Sequence, residues 1–121
     1  MIRRTVRSLG VVLVLALLVG VAVPAGATGS HSKNKSFSTC AYTIEHWNQS
    51  GAVASTVGNS NCYWATVRLQ YRFGGDTLWT STKKWYQAVW AWGPSTSTTL
   101  KSRHQIQHYP SYQWSSTCTL Y

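Results

Sequence analysis

Carboxyl groups are too few in this chain for the commonest acid–base chemistry. Glu45 and Asp76 are the only acidic residues among 121. Hydrolysis of a glycosidic bond normally needs two carboxyl groups that flank the scissile bond. Asp76 follows two glycines, and aspartate in that position is a common turn former. The sequence therefore disfavours an enzyme that uses a carboxylate pair.

The candidate nucleophiles lack the residues that would activate them. A catalytic serine needs a histidine base and an orienting acid, and the chain contains no G-x-S-x-G segment. Cys118 with His104 as its base is conceivable, but an exported thiol without an accompanying motif is more often structural. We expect no catalytic residues and a protein that is not an enzyme.

The segment His104-Gln105-Ile106-Gln107-His108 superficially resembles the H-E-x-x-H zinc motif. The glutamate is missing, and the alternation of the segment predicts a strand instead of a helix. Residues four apart on a strand are separated by about 13 Å, so these two histidines cannot bind one ion. We expect no metal site and no cofactor.

Tryptophan and the basic residues are the types whose abundance needs an explanation. The chain contains seven Trp, seven Tyr and two Phe. Some fill a core, because aromatic side chains suit the pleated surface of a sheet. Other tryptophans lie on a polar face or next to polar or basic residues, and an exposed indole there stacks on a ligand or enters a membrane interface. The candidate binding residues are Trp64, Arg68, Arg72, Trp79, Lys83, Lys84 and Trp85.

Residues 1–27 have the three parts of a cleavable secretory signal peptide. A basic start with three arginines precedes an apolar stretch over residues 9–23, and Ala25-Gly26-Ala27 forms a small-x-small cleavage site. The apolar stretch is shorter than the roughly 20 residues of a membrane helix, and a retained membrane anchor is the alternative. We expect a bacterial protein that begins near Thr28 after cleavage and is secreted.

Removal of the signal peptide leaves 94 residues with a net charge of +6, because three arginines are lost from a chain of charge +9. That length suits one domain with a thin core, which usually gains from a covalent cross-link. The positive charge predicts attraction to anionic cell-surface polymers, glycans and membrane surfaces. Nucleic acid fits the charge and the aromatic residues, but export makes it an unexpected partner.

The three cysteines are Cys40, Cys62 and Cys118. An exported protein meets oxidising conditions, so we expect one disulfide bond. The preferred pair is Cys40 with Cys62, because both begin predicted strands that run in the same direction with one strand between them. Cys118 is then free, buried or the site of an intermolecular bond. The spacings exclude a zinc site of the C-x-x-C kind.

The chain after the signal peptide is expected to form a flexible polar leader over residues 28–36 and a single β domain over 37–121. Apolar and polar residues alternate most clearly over residues 63–73, and Gly74-Gly75-Asp76 closes a hairpin. Turn residues separate about seven such segments. The pattern predicts an all-β fold, a small antiparallel β-sandwich or barrel. The expected strands cover about 39–47, 52–57, 63–73, 77–82, 85–92, 100–108 and 112–120.

These features favour a secreted, non-catalytic protein that binds anionic or carbohydrate-bearing cell surfaces. Indole rings would stack on the ligand, and cations would attract it from a distance. One alternative is a bacteriocin-like antibacterial protein, since small size, positive charge and abundant Trp suit membrane attack. Another is a secreted structural or inhibitory partner protein, for which Cys118 would form the intermolecular bond.

Overall fold

The computed structural model of the chain describes residues 31–121, so the expected signal peptide lies outside the described residues. Residues 31–121 contain β-strands and no helix, and therefore no helix that is long and apolar enough to cross a membrane. The expected all-β fold is confirmed. The strands are β1 (His31–Phe37), β2 (Cys40–Asn48), β3 (Gly51–Gly58), β4 (Cys62–Phe73), β5 (Asp76–Trp79), β6 (Lys83–Tyr86), β7 (Ala88–Ser95), β8 (Thr98–His108) and β9 (Cys118–Leu120).

The strands pair antiparallel in two sheets, as the alternating sequence pattern predicts. The first sheet has the order β1-β2-β3-β7. The second sheet has the order β5-β4-β8-β9, and β6 pairs with the same edge of β4 as β5 does. β5 pairs with the end of β4 and β6 with its beginning, so both short strands share one long partner.

One apolar core lies between the inward faces of the two sheets. Ile44 and Ala54 enter it from the first sheet, and Val67, Leu69 and Ile106 enter it from the second; all five are fully buried. Burial of an aliphatic side chain of this size contributes roughly 1.5–3 kcal/mol. The core therefore joins both sheets, and it leaves the opposite face of each sheet outward.

The disulfide bond joins Cys40 to Cys62, which confirms the predicted pair. Cys40 begins β2 in the first sheet and Cys62 begins β4 in the second, so the bond connects the sheets at one end of the core. Gly58 lies directly against it, since a Cβ atom there would come 2.6 Å from the Cys62 sulfur. Cys118 in β9 is a free, partly buried thiol.

The structure differs from the expected flexible leader, because residues 31–36 belong to β1. This strand pairs with β2 along its whole length, from His31 opposite His46 to Phe37 opposite Cys40. Six of its seven residues are exposed, so β1 has no apolar face. Backbone hydrogen bonds hold an edge strand of this kind, and hydrophobic alternation cannot predict it.

The chain changes sheets at Gln87, between β6 and β7. Gln87 has a φ of 64°, a left-handed conformation. Its N–H donates to the Tyr63 carbonyl in the second sheet, and its carbonyl accepts from the Gly58 N–H in the first. The expected strand over 85–92 is thus divided between two sheets, which explains in part why nine strands replace about seven.

Candidate functional site

The outward face of the second sheet brings together basic and aromatic side chains from five segments of the chain. In an antiparallel sheet, directly opposed residues project from the same face. Arg68 of β4 lies opposite Arg103 of β8, and Gln70 lies opposite both Lys101 of β8 and Trp79 of β5. We name this surface the cationic face, and its members are Trp64, Arg68, Trp79, Lys84, Lys101, Arg103 and Trp114.

Trp79 is the centre of a cluster of three cations. The distance from its ring centroid to the guanidinium carbon is 4.7 Å for Arg103 and 4.8 Å for Arg68, and the Lys101 ammonium lies at 5.8 Å. Each distance is within the range of a cation–π interaction, which is worth about 0.5–1 kcal/mol at an exposed site. The Arg68 Nε also donates to the Thr80 carbonyl at 3.1 Å. The indole therefore holds the cations in place without neutralising them.

A second cation–aromatic group lies farther along the same face. β6 places Lys84 opposite Thr66 of β4, and the Lys84 ammonium lies 5.1 Å from the Trp64 ring and 5.6 Å from the Trp114 ring. Trp114 is 37% exposed, so one of its faces stays open to solvent. The cationic face consequently alternates indoles and positive charges along the sheet.

Tyrosine rings extend this surface at the Trp64 end. Four aromatic side chains surround Tyr63 at centroid distances of 5.2 to 6.2 Å, and most of these pairs are edge-to-face. Such pairs contribute about 0.5–1.5 kcal/mol beyond their buried area, so the cluster is rigid. Its members are Trp64, Tyr86, Tyr109 and Tyr112.

A small pocket of about 170 Å³ opens between the two arginines. Arg68 and Arg103 line it together with Thr66, Gln105 and other polar residues. Like charges that lie directly opposite across two strands are destabilising. Guanidinium groups bind carboxylate, phosphate and sulfate oxygens in pairs, so an oxyanion in this pocket would relieve the repulsion.

The two acidic side chains of the chain do not lie on the cationic face. Glu45 is in the first sheet, and Asp76 pairs with Phe73 at the hairpin end of β4. Phe73 alternates with Arg72 along the strand, so the register places Asp76 on the inward side of β5. The positive charge of the cationic face is therefore not balanced by acidic residues on the same face.

The structure separates the seven candidate binding residues of the sequence analysis. Arg72 is on the same outward side but near the hairpin, opposite Thr77 and Thr98. Lys83 and Trp85 alternate with the outward residues of β6 and line a groove to the side of the cationic face, which Lys84 and Trp90 also line. Four of the candidates contact one another or share partners on the cationic face, and these are Trp64, Arg68, Trp79 and Lys84.

The sequence analysis missed three members of the cationic face, Lys101, Arg103 and Trp114. The alternation of β8 already places Arg103 on its polar side, and this signal could have identified it. Trp114 makes only an isolated bridge to Gln107 outside any strand. No periodic pattern can place such a residue, so its position depends on the tertiary fold.

The buried histidines form a hydrogen-bonded chain between the sheets. His46 Nδ1 lies 2.9 Å from the Ser102 hydroxyl, which lies 2.7 Å from His104 Nε2, and His104 Nδ1 lies 2.7 Å from the Thr56 hydroxyl. Thr56 donates its proton to the Thr66 carbonyl. His104 therefore donates through Nδ1 and accepts from Ser102 through Nε2, which requires a neutral ring, and His46 donates through Nδ1 to Ser102. His46 Nε2 lies 3.0 Å from His31 Nδ1.

Burial opposes protonation of the two histidines in this hydrogen-bonded series. Desolvation lowers the pKa of His104 to about 3 and that of His46 to about 4, and a neighbouring histidine adds to each shift. Ser102 is fully buried between the two rings, so its hydroxyl does not meet solvent. No group of three or more potential metal ligands occurs in residues 31–121. These hydrogen-bonded side chains are a structural element of the core.

Comparison with known proteins gives no relative from which a role could be transferred. The chain matches no protein-family model, no curated protein sequence and no solved structure.

Proposed function

We propose that the protein is a secreted, non-catalytic binder of anionic polymers on cell surfaces, and that the cationic face is its binding surface. The observation that carries this proposal is the cluster of Arg68, Lys101 and Arg103 around Trp79, beside a pocket and without an acidic side chain on the same face. A surface in which positive charges lie close together without acidic partners costs repulsion, and an anionic ligand removes that cost.

Each type of side chain on the cationic face has its own role in the proposed binding. The net charge attracts the polymer over distances of about 10 Å at an ionic strength of 0.1 M. Arg68 and Arg103 then bind phosphate, sulfate or carboxylate oxygens at the pocket. The indoles of Trp64 and Trp114 stack on apolar parts of the repeating unit.

Binding to isolated bacterial cell walls and to vesicles that contain phosphatidylglycerol tests this function. The mature protein should cosediment with at least one of them at low salt, and added salt should weaken the binding. The double variant Arg68→Gln/Arg103→Gln should lose about tenfold in affinity, which corresponds to about 1.4 kcal/mol.

The matched control removes the same amount of charge from the other sheet. Lys33 and Lys35 lie on β1, so the double variant Lys33→Gln/Lys35→Gln should change the affinity by less than about threefold. Equal losses in both variants would show that net charge alone attracts the protein. Absence of binding at low salt would contradict the proposal. Loss of viability of bacterial cells exposed to the protein would favour the bacteriocin-like alternative.

The proposal includes export and the arrangement of the sheets. Residues 1–27 direct secretion and are removed near Thr28, and the Cys40–Cys62 bond is consistent with an oxidising compartment. The proposed arrangement of the two sheets is a β-sandwich, and their shared core in residues 31–121 supports it. Mass spectrometry of protein recovered from culture medium should find an amino terminus near residue 28.

A further inference from the structure

The outward face of the first sheet has a different chemistry from the cationic face. The register places Trp90, Ser55 and Glu45 in one row across β7, β3 and β2, and it places Trp92, Val53 and Trp47 in the next row. Strand spacing makes this patch about 10 Å wide and about 7 Å long, which accommodates one or two sugar rings. We name it the aromatic face, and its members are Glu45, Trp47, Val53, Ser55, Trp90 and Trp92.

The aromatic face consists of a buried floor and projecting indoles. The four members on β2 and β3 are buried, and Glu45 is only 3% exposed. Trp90 and Trp92 on β7 are 42% and 59% exposed. Exposed indoles at alternate positions of one strand lie about 7 Å apart on the same side, so they present two adjacent apolar surfaces.

Glu45 is the polar group of this patch, and its carboxylate has no partner. Within residues 31–121 it makes no side-chain hydrogen bond or ion pair, and desolvation alone raises its pKa to about 7. The outward positions of the first sheet carry no Lys or Arg in this part of the chain. Within residues 31–121, Gln107 Oε1 is the fully enclosed side-chain atom that lacks a hydrogen-bond partner, so the Glu45 oxygens keep some access to solvent and can accept from a ligand.

We propose that the aromatic face binds a neutral sugar unit of an oligosaccharide. The sugar stacks its C–H face on Trp90 and Trp92 and donates a hydroxyl hydrogen bond to the Glu45 carboxyl group. This site is on the other sheet and meets the cationic face only at a groove that Lys84 and Trp90 both line, and it does not depend on the function proposed above.

The charges and polarity of the patch distinguish a neutral sugar from other occupants. An anionic ligand at Glu45 would meet a carboxylate with no cation on the outward side of the first sheet, because Lys83 and Lys84 lie in a groove beyond Trp90 at the β7 edge of the patch. A lipid surface would cover the carboxylate with apolar material and leave it without a donor, which increases its desolvation cost. A neutral sugar presents both an apolar face and hydroxyl donors, and ligand sites typically combine aromatic walls with a few polar groups.

Titration of the mature protein with neutral tetrasaccharides tests this site. The probes are β-1,4-linked tetramers of glucose and of N-acetylglucosamine and an α-1,4-linked tetramer of glucose, followed by calorimetry and indole fluorescence. At least one should bind saturably below about 10 mM. Trp90→Ala and Trp92→Ala should each weaken that binding about tenfold.

Substitutions at Glu45 separate hydrogen bonding from shape. Glu45→Gln keeps an acceptor and should bind within about threefold of the wild type, whereas Glu45→Leu should lose about tenfold. Trp114→Ala removes an indole from the cationic face and should leave sugar binding unchanged. Thermal unfolding of every variant shows whether it is folded, and only folded variants enter the comparison.

Three results would overturn the sugar site: no binding of any tetramer up to about 10 mM, unchanged binding by both folded Trp variants, or attachment to phosphatidylcholine vesicles through Trp90 and Trp92 without sugar binding. The double variant Arg68→Gln/Arg103→Gln keeps the aromatic face and should bind the tetramer normally. If it does so while it loses cell-wall binding, the two sites are independent, and failure of one proposal leaves the other intact.

Discussion

Glu45 and His46 are adjacent residues on β2 that project from opposite faces of the first sheet, and burial shifts their pKa values in opposite directions. Desolvation disfavours the charged form of each group, so the pKa of Glu45 rises to about 7 and that of His46 falls to about 4. His104 on the facing sheet has a pKa lowered to about 3 for the same reason. The uncharged forms of these three side chains are therefore the ones that fit the fold.

Stability should fall as the pH decreases from about 6.5 to about 4. In the unfolded chain His46 and His104 titrate near 6.5, whereas the fold lowers both pKa values. Their contribution is complete above 6.5 and is lost as the unfolded state takes up protons that the folded state rejects. Urea unfolding at pH 7, 5.5 and 4 measures this loss, and an unchanged midpoint at pH 4 would contradict the assignment.

Glu45→Gln tests the opposite pH dependence, in which stability falls as the pH rises. The folded pKa of Glu45 is raised, so its contribution is complete below about 4.5 and is lost as the pH rises through about 7. The variant should therefore be more stable than the wild type at pH 8, by an amount on the order of 3 kcal/mol, and about equal to it at pH 4. The loss of stability between about pH 6.5 and about pH 4 should remain in this variant, because both histidines are still present.

At the scale of the strands, the sequence predicts those elements that have one buried face. β4 alternates as expected, with Ala65, Val67 and Leu69 buried between less buried neighbours. β1 could not be predicted, because its exposed residues carry no hydrophobic period. The division between β6 and β7 depends on a left-handed Gln87, a conformation that non-glycine residues seldom adopt and that no residue pattern announces.

In the candidate binding site, too, the local sequence pattern predicts some contacts, whereas others depend on which strands pair. Alternation within β4 placed Trp64 and Arg68 together on the outward side, which the structure retains. The partnership of Arg68 with Arg103 depends on which strands pair, and the sequence spacing does not determine that. The sequence analysis predicts that Trp85 and its neighbour Lys84 both belong to the binding surface, but adjacent residues on a strand project from opposite faces.

Loss of the disulfide bond should destabilise the contact between the two sheets. The bond closes a loop with a sequence separation of 22, and restriction of the unfolded chain by such a loop contributes about 3 kcal/mol. The double variant Cys40→Ala/Cys62→Ala should unfold at correspondingly lower urea concentration. Cys118→Ala removes the free thiol and is the matched control; an equal loss in that variant would contradict this account.

At the scale of the whole molecule, the two sheets present outward surfaces of different chemistry on either side of one core. Packed sheets are about 10 Å apart, so ligands on the two outward faces do not touch each other. A molecule with the two proposed sites therefore joins a charged polymer to a neutral glycan. Such a bridge needs only one domain, because each sheet uses one face for the core and the other for a ligand.

Binding at the two faces should be independent. The affinity for the bound tetrasaccharide should change by less than about threefold when the protein is saturated with phosphatidylglycerol vesicles, since the two faces belong to different sheets and have no member in common. Indole fluorescence titration in the presence and absence of vesicles measures this directly. Competition between the sugar and the vesicles would show that both occupy one surface.

The polar edge strand β1 has a consequence for colloidal behaviour. β2 is rich in apolar residues, and β1 covers one of its two hydrogen-bonding edges along residues 40–46. Lys33 and Lys35 lie on β1, and lysines on an edge strand discourage aggregation with another molecule. Proteolytic trimming beyond residue 37 would expose the edge of β2 as a template for intermolecular pairing. Loss of β1 should therefore increase aggregation, whereas a chain that keeps residues 31–37 retains the protected edge.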